Sequence, residues 1–297
     1  MEESPGNAGG HAVRPPSRRR PFSSLLAVLA TVAFLLPALW AGTAAASEVR
    51  SASNGERLEP PAASAYCSAP GVVCITGDQT SRITVTTGNQ IIDGQGHSAP
   101  GITVNADNVT VQNFTFTNCA GNCVWTEGAN NAVQDNTISQ VYYAGDDIDG
   151  LRFFGDGAKI LRNRFFDILK GAQEDAHLDC MQTYATPRTG GGSAGAVIAD
   201  NHCEDPNFHQ CLMVEGPRSS DGGGGGGGVT RDWVIERNYF RCYANQTIAL
   251  RDAHDFVIQN NTFAGAGRKA VQQTDGSSGI TIRDNVLGSG YGRVTGD

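Results

Sequence analysis

The sequence has 297 residues, of which 39% are hydrophobic and 18% charged, and its formal net charge is −8. This acidic balance argues against a nucleic-acid partner, because phosphate binding requires a basic face. A polyanionic partner would need a bridging cation.

The N-terminal segment predicts export. Four arginines between positions 14 and 20 precede an apolar run at 25–40 and an Ala-Ala-Ala site at 44–46, which is the pattern of a secretory signal peptide. A membrane anchor is the alternative, but the run is short and is broken by Pro37. Without residues 1–46, which carry four arginines and two glutamates, the charge becomes −10. We therefore expect a secreted protein with no membrane association after cleavage.

Residues 47–74 are rich in Ala, Ser and Pro and are interpreted as a linker and N-terminal cap, followed by one domain over 75–297. A repeat begins near Ile83: apolar residues alternate with polar ones, and an asparagine and often an aromatic residue follow. The repeated asparagines are Asn113, Asn136, Asn163, Asn201, Asn238, Asn261 and Asn285. We interpret them as turn residues that tolerate the left-handed conformation and bond to their neighbours in a ladder.

A second short strand is predicted in each coil, as at residues 102–104, 151–154, 180–183, 211–214, 247–250 and 270–273. A period in the low twenties with strand-like alternation and Gly/Asn/Asp turns predicts an all-β solenoid of about eight coils. Stacked coils would form parallel sheets whose rungs are about 4.8 Å apart.

Two asparagine spacings are long, at 38 and 37 residues. The insertions responsible, 186–195 and 217–232, the second with seven consecutive glycines, both follow the second strand. They are expected to stand side by side as loops that border the sheet built by that strand.

All eight cysteines follow the signal segment, and an even number in an exported chain favours disulfides. Cys67–Cys74 and Cys119–Cys123 are close enough to pair locally. Cys180 and Cys211 occupy the same position on successive coils, which predicts a Cα separation inside the roughly 4.4–6.8 Å window of a disulfide. Cys203–Cys242 is then assigned by elimination.

The repeat, the export signal and the segment Ile91-Ile92-Asp93-Gly94-Gln95-Gly96 resemble secreted right-handed parallel β-helix proteins of the pectate-lyase-like superfamily. The resemblance covers about residues 75–287. It implies a single-domain right-handed parallel β-helix, and its members are mostly polysaccharide lyases, glycoside hydrolases, epimerases and carbohydrate-binding proteins. The signatures of the polygalacturonase and typical pectate lyase branches are missing here, so the reaction stays open.

Two clusters of acidic residues stand out, at 145–150 and 175–182. Aligning second strands places Leu151, Met181, Leu212, Ile248 and Val271 on consecutive rungs. That register brings Asp149 beside Asp179 and His177 beside His209. At the other end of the strands it lines up Phe154, Tyr184, Glu215 and Arg251.

Three functions compete for this stripe. In a lyase, Asp146, Asp147 and Asp175, with Asp149 and Asp179, would bind Ca²⁺ against a uronate carboxylate, and His177, Arg251 or Lys170 would remove the C5 proton. In a hydrolase, Asp149 and Asp179 would flank the glycosidic bond as acid and base or nucleophile.

In the third reading, the stripe binds a glycan without cleaving it. The residues expected to act in catalysis are Asp149, His177, Asp179, His209 and Arg251, and those expected to bind substrate are Gln182, Tyr184, Glu215, Phe154 and Lys170. Each acid also has a structural interpretation, since Asp in solenoid turns often caps backbone N–H groups. The favoured expectation is a monomeric polysaccharide lyase with Ca²⁺ as its only cofactor.

Overall fold

The computed structural model describes residues 66–142, 148–167, 177–185, 192–205, 208–217, 230–242, 246–265, 267–291 and 293–296. The signal peptide, most of the linker, and residues 186–191 and 218–229 of the two predicted insertions lie outside these residues. No helix in the described ranges is long and apolar enough to cross a membrane.

The described residues form thirty short strands. The first ten are β1 (Val72–Cys74), β2 (Ile83–Val85), β3 (Gln90–Asp93), β4 (Ser98–Ala99), β5 (Ile102–Asn105), β6 (Val109–Gln112), β7 (Thr115–Phe116), β8 (Cys119–Ala120), β9 (Val124–Glu127) and β10 (Ala132–Gln134). The next ten are β11 (Thr137–Ser139), β12 (Val141–Tyr142), β13 (Leu151–Phe154), β14 (Lys159–Leu161), β15 (Arg164–Phe166), β16 (Met181–Tyr184), β17 (Val197–Ala199), β18 (His202–Glu204), β19 (Leu212–Glu215) and β20 (Thr230–Arg231). The last ten are β21 (Val234–Glu236), β22 (Tyr239–Arg241), β23 (Gln246–Arg251), β24 (Ala253–His254), β25 (Val257–Gln259), β26 (Thr262–Phe263), β27 (Lys269–Thr274), β28 (Thr281–Arg283), β29 (Val286–Leu287) and β30 (Arg293–Gly296).

Three parallel sheets run along the stack, and every coil from β3 onward contributes one strand to each. Sheet 1 is β1-β3-β6-β10-β14-β17-β21-β25-β28, sheet 2 is β4-β7-β11-β15-β18-β22-β26-β29, and sheet 3 is β2-β5-β9-β13-β16-β19-β23-β27-β30. The chain is therefore a parallel β-helix of eight to nine coils, which confirms the predicted fold class. The first rung of sheet 1 is Val72–Cys74, just before the domain start expected from the sequence.

The prediction of two strands per coil is wrong, because sheet 2 supplies a third. Its strands are only two or three residues long and follow the turn asparagine directly, as Thr137–Ser139 follows Asn136. A segment of that length cannot display an alternating pattern. The sequence pattern therefore does not distinguish a sheet-2 strand from the turn before it.

The interior of the helix is filled by residues of the same kind stacked on one another. Phe114 and Phe116 stack with ring centroids 4.9 Å apart, and Trp233 stacks on Phe256 at 4.9 Å. The Trp233 indole is fully buried and donates its Nε1–H to the carbonyl of Ser193. Full burial of such rings is worth roughly 1.5–3 kcal/mol each, so these stacks are a main source of stability.

The predicted asparagine ladder is present between sheets 1 and 2, and from Asn136 to Asn261 it is buried. Each Oδ1 accepts the backbone N–H and the side-chain amide of the previous asparagine, as Asn201 does from Asn163 at 2.9 and 3.1 Å. Each side-chain amide also donates to a carbonyl of sheet 1, as Asn201 does to Ile160 at 2.8 Å. The ladder therefore satisfies backbone groups at a buried corner, where they would otherwise lack partners.

Two details of the asparagine prediction are wrong. Gln112 pairs with Gln134, so Asn113 aligns with Asp135, and Phe114 holds the ladder position in that coil. The left-handed conformation belongs to the residue before each ladder asparagine, as in Asp135 with φ 57°. The polar side chain of that preceding residue lies outside the stack of ladder asparagines.

Four consecutive residues at this outer turn position, Asp135, Arg162, Asp200 and Arg237, alternate in charge. The guanidinium of Arg162 binds both oxygens of Asp135 at 2.7 Å, and that of Arg237 binds both oxygens of Asp200 at 2.8 and 2.9 Å. The hydrogen bonds that Arg237 donates to Asp200 and Glu236 raise the pKa of Arg237 above its usual value. Along the stack the order of signs is acid, base, acid, base.

The Asp93-Gly94-Gln95-Gly96 segment is a structural turn. Asp93 is buried and accepts the backbone N–H of Gln95 at 2.9 Å, the side-chain amide of Gln112 at 2.7 Å and that of Asn113. Burial opposes ionisation of Asp93, but these hydrogen bonds outweigh it and lower its pKa. A Cβ on Gly94 would lie 2.5 Å from the Phe114 ring, so only glycine fits there.

Four disulfides are formed by the eight cysteines. Cys67–Cys74 and Cys119–Cys123 are confirmed, but the other two pairs are Cys180–Cys203 and Cys211–Cys242. The predicted Cys180–Cys211 and Cys203–Cys242 pairs are wrong. The second followed from the first by elimination, and Cys180 and Cys211 are in register on parallel strands, so their side chains point the same way. Their Cβ atoms stay about one rung apart, beyond the roughly 3.5–4.5 Å of a disulfide.

The observed pairs instead cross the interior of the coil, from the start of a sheet-3 strand to sheet 2 of the next coil. The two disulfides touch, with Cys203 and Cys242 sulfurs 3.4 Å apart. Both are buried, so they tie together three coils in the middle of the stack.

Candidate functional site

The predicted register of sheet 3 is confirmed. Leu151 pairs with Met181, Met181 with Leu212, Leu212 with Ile248, and Ile248 with Val271. These side chains point into the interior of the β-helix, so the residues that alternate with them along each strand form the outer surface of sheet 3. We call this surface the sheet-3 face; it comprises Trp125, Glu127, Arg152, Phe154, Gln182, Tyr184, Glu215 and Arg251.

The turn that leads into sheet 3 carries Asp149 and Asp179 on successive rungs. Asp149 Oδ1 accepts the backbone N–H of Asp179, and Asp179 Oδ1 accepts that of Gln210, both at 2.7 Å. One rung earlier, Asn122 Oδ1 accepts the N–H of Asp149 at 2.6 Å. Both carboxylates are fully buried. One oxygen of each aspartate thus belongs to a capping ladder like that of the asparagines.

The other oxygen of Asp149 binds Arg152, whose Nε–H donates to Oδ2 at 2.5 Å. The Arg152 guanidinium lies over the ring of Tyr184, 5.5 Å from its centroid. Sequence reasoning missed Arg152, although its pairing with Gln182 follows from the register it predicted. Gln182 is buried, and its Oε1 accepts no hydrogen bond from the residues that the structure describes.

Three aromatic side chains on consecutive rungs form a row on the sheet-3 face. The Trp125 and Phe154 rings have centroids 4.9 Å apart, and Phe154 meets Tyr184 edge-on at 4.9 Å. Phe154 is 2% exposed, whereas Trp125 and Tyr184 are partly exposed. The sequence analysis included Phe154 and Tyr184 but missed Trp125, because the residue in register with Phe154 on the preceding coil is Glu127, and Trp125 pairs with Arg152.

Charged groups border this row. Trp125 donates its Nε1–H to Glu127 at 3.0 Å. Three rungs away, Glu215 follows Tyr184 in register and binds Arg251 at 3.1 Å. The Glu215 side chain is 9% exposed and that of Arg251 is 22% exposed, so the pair is largely withdrawn from solvent.

The two histidines predicted to be neighbours are neighbours. His177 and His209 have ring centroids 4.3 Å apart with an interplanar angle of 65°. His177 Nδ1 is 3.8 Å from Asp179 Oδ2. His209 Nδ1 lies 2.9 Å from Gln210 Oε1. The site thus brings together two imidazoles and one buried carboxylate at the edge of the sheet.

Other histidines play surface roles. His202 stacks on Tyr239 and bonds to Glu204, and His254 bonds to Ser278 and Asp252. Four residues of the predicted site, namely Lys170, Asp146, Asp147 and Asp175, lie outside the described residues.

Comparison with known proteins gives a likeness of fold only. No protein-family model matches the chain, and no curated protein sequence matches it. Among solved structures, the chain is similar to the Streptococcus pneumoniae surface protein and adhesin PfbA, with a TM-score of 0.56 and 17% identity. The match covers 75% of this chain and 66% of PfbA, slightly under two thirds of that chain.

Proposed function

We propose that this chain is an exported, pectate-lyase-like β-helix that acts as a surface protein and binds a glycan along the sheet-3 face. The observation that carries the proposal is the row Trp125–Phe154–Tyr184. Aromatic rings offer sugars an apolar platform, while polar groups beside them fix orientation. The similarity of fold to an adhesin and the four disulfides support a location outside the cell.

The row is suited to a linear ligand because its rings are held in place. Phe154 is buried between its neighbours, so Trp125 and Tyr184 are fixed two rungs apart, roughly 9.6 Å. A ligand that runs along the stack can contact both rings without rearranging the protein. Such preorganisation lowers the entropic cost of binding.

The described charges of the face favour a neutral glycan. The carboxylates of Asp149 and Glu215 are each paired with an arginine, and the carboxylates of Glu127 and Asp179 lie beside Trp125 and His177. A polyanion would be repelled by the acidic chain as a whole. We expect acidic glycans to bind only when a divalent cation is present.

A panel of neutral and acidic polysaccharides, tested by affinity electrophoresis and calorimetry, would examine this proposal. Trp125→Ala and Tyr184→Ala should each weaken binding at least about tenfold, which is 1.4 kcal/mol. Tyr239→Ala is the matched control, because Tyr239 is a partly exposed aromatic residue on sheet 2. Equal effects of all three substitutions, or binding to no glycan, would contradict the proposal.

A second candidate function is polysaccharide cleavage, and the cluster of His177, Asp179 and His209 favours it. Asp179 can orient His177 as a general base, as required for a lyase, whereas Arg251 lies at the opposite end of the sheet-3 strands. The paired-carboxylate hydrolase is less well supported, because Asp149 and Asp179 are buried and each commits an oxygen to a backbone amide.

The same panel distinguishes these activities. Absorbance from unsaturated uronates that is lost in His177→Ala would establish a lyase, and chelation would test its dependence on Ca²⁺. New reducing ends without that absorbance would establish a hydrolase. Binding without either product would support the glycan-binding protein.

A further inference from the structure

The edge of sheet 3 carries a group of side chains with the composition of a transition-metal site. Nitrogen atoms of His177 and His209 and a carboxylate oxygen of Asp179 all lie within 4.8 Å of one another. They come from two successive coils, with His177 and Asp179 on one and His209 on the next. The register of sheet 3 therefore holds the three donors together without any special loop.

The groups behind these donors already orient them. Gln210 Oε1 can only accept, so His209 Nδ1 donates to it at 2.9 Å, which leaves His209 Nε2 as a lone-pair donor. The backbone N–H of the same Gln210 fixes Asp179 Oδ1 at 2.7 Å and turns Oδ2 towards His177. Hydrogen bonds of this kind are the usual second layer of a metal site, where they set the tautomer and direction of the ligands.

The burial of Asp179 and the exposure of the two histidines also suit a bound ion. Asp179 is 0% exposed, whereas the His177 side chain is 34% exposed and His209 is exposed. An ion could enter from solvent, bind the carboxylate at the base of the site and keep positions open on its outer side. The 3.8 Å between His177 Nδ1 and Asp179 Oδ2 is close to the roughly 3.3 Å that two ligands of one tetrahedral metal require.

We propose that His177, Asp179 and His209 bind a divalent first-row transition metal, with Zn²⁺ as the reference ion. Two imidazoles and one carboxylate suit Zn²⁺, Fe²⁺ or Co²⁺. Ca²⁺ prefers six to eight oxygen ligands and has little affinity for imidazole. Among the residues that the structure describes, the other close group of ligand types is Cys203, Cys211 and Cys242, which consists of disulfide sulfurs and provides no thiolate.

This site is distinct from the aromatic row, and its test uses no glycan. Failure of either proposal therefore leaves the other standing. A metal here would crosslink two coils, so it should also stabilise the protein against unfolding.

The test is calorimetric titration of the oxidised, chelator-treated full mature chain with Zn²⁺, and in parallel with Ca²⁺. We expect one Zn²⁺ per chain with a dissociation constant on the order of 10 µM or tighter, and no comparable Ca²⁺ binding at this site. His177→Gln and His209→Gln should each weaken Zn²⁺ binding by about 100-fold or more, and Gln210→Ala by about 10-fold or more. His254→Gln is the matched control, since His254 lies elsewhere and binds Ser278 and Asp252.

A second measurement does not depend on the variants folding. X-ray absorption of the Zn²⁺-loaded wild-type protein should show scattering from two imidazole ligands. The proposal is overturned by an absence of Zn²⁺ binding at 100 µM, estimated as roughly ten times the expected constant. It is equally overturned by Zn²⁺ binding that survives both His177→Gln and His209→Gln, or by a ligand shell without imidazole.

Discussion

Replacing Asn201 by alanine tests the idea that the buried asparagine ladder holds the coils together. Asn201 Oδ1 is the acceptor for the buried backbone N–H of Asn163, at 2.9 Å. Its side-chain amide donates to the Ile160 carbonyl at 2.8 Å and to Asn238 Oδ1 at 3.0 Å. Alanine removes all of these bonds, because its methyl group can neither donate nor accept a hydrogen bond.

The expected loss follows from the groups left behind. An orphaned buried N–H costs about 1–3 kcal/mol, and the lost side-chain bonds add about 1 kcal/mol each. We therefore expect Asn201→Ala to lower the free energy of unfolding by about 3–5 kcal/mol. The control is Asn108→Gly, because Asn108 forms only exposed side-chain bonds of 3.2 Å with Asn89 and Asn130 and has φ 56°. Glycine accepts that conformation, so the control should change stability by less than about 1 kcal/mol.

Urea unfolding at neutral pH, with disulfides intact, measures both variants. Tryptophan fluorescence, which reports on buried Trp233, and far-ultraviolet circular dichroism should be compared, because a solenoid can unfold coil by coil. If Asn201→Ala and Asn108→Gly change stability equally, the ladder does not stabilise the stack as argued here.

Two further predictions concern acid and disulfides. Asp93→Asn should destabilise the protein by about 1–3 kcal/mol at pH 7. Because folding lowers the pKa of Asp93, its stabilisation is present at neutral pH and is lost as pH falls below about 3.8, so thermal unfolding of variant and wild type should converge in acid. Peptide mapping without reduction should recover Cys180–Cys203 and Cys211–Cys242, whose loops of 23 and 31 residues predict a loss of about 3–4 kcal/mol when either bond is removed. A Cys180–Cys211 peptide would contradict the observed pairing, whereas unchanged stability after either bond is removed would contradict the predicted stabilisation.

The register of sheet 3 could be predicted because strong markers repeat in it. Apolar residues alternate with polar ones, and on four successive rungs an Asp or Gln stands two residues before the inward-pointing apolar residue, as Asp179 does before Met181 and Gln210 before Leu212. Stacking identical intervals gave the pairing of Leu151 with Met181 and the meeting of His177 with His209. Spacing along the sequence was enough to predict these contacts, because residues at the same position in successive repeats of a solenoid lie on adjacent rungs.

Contacts across the interior could not be predicted in the same way. Whether Cys180 meets Cys211 or Cys203 depends on the cross-section of the coil, which sheet 2 determines, and the sequence pattern did not reveal sheet 2. Likewise, the phase of Asp149 was correct but its burial was not foreseen. The sequence does not distinguish an acid that binds a substrate from an acid that caps the backbone of the next coil, because both occupy the same position in the repeat.

The alternating charges of the outer turn have a consequence for assembly errors. Coils of a solenoid resemble one another, so a chain can mispair by skipping a coil or by docking on a second molecule one coil out of step. Correct stacking places Arg162 on Asp135 and Arg237 on Asp200. Skipping one coil would bring Arg162 against Arg237 and Asp135 against Asp200, replacing attraction with repulsion on two rungs. These four side chains therefore favour pairing with the adjacent coil over pairing with the coil beyond it.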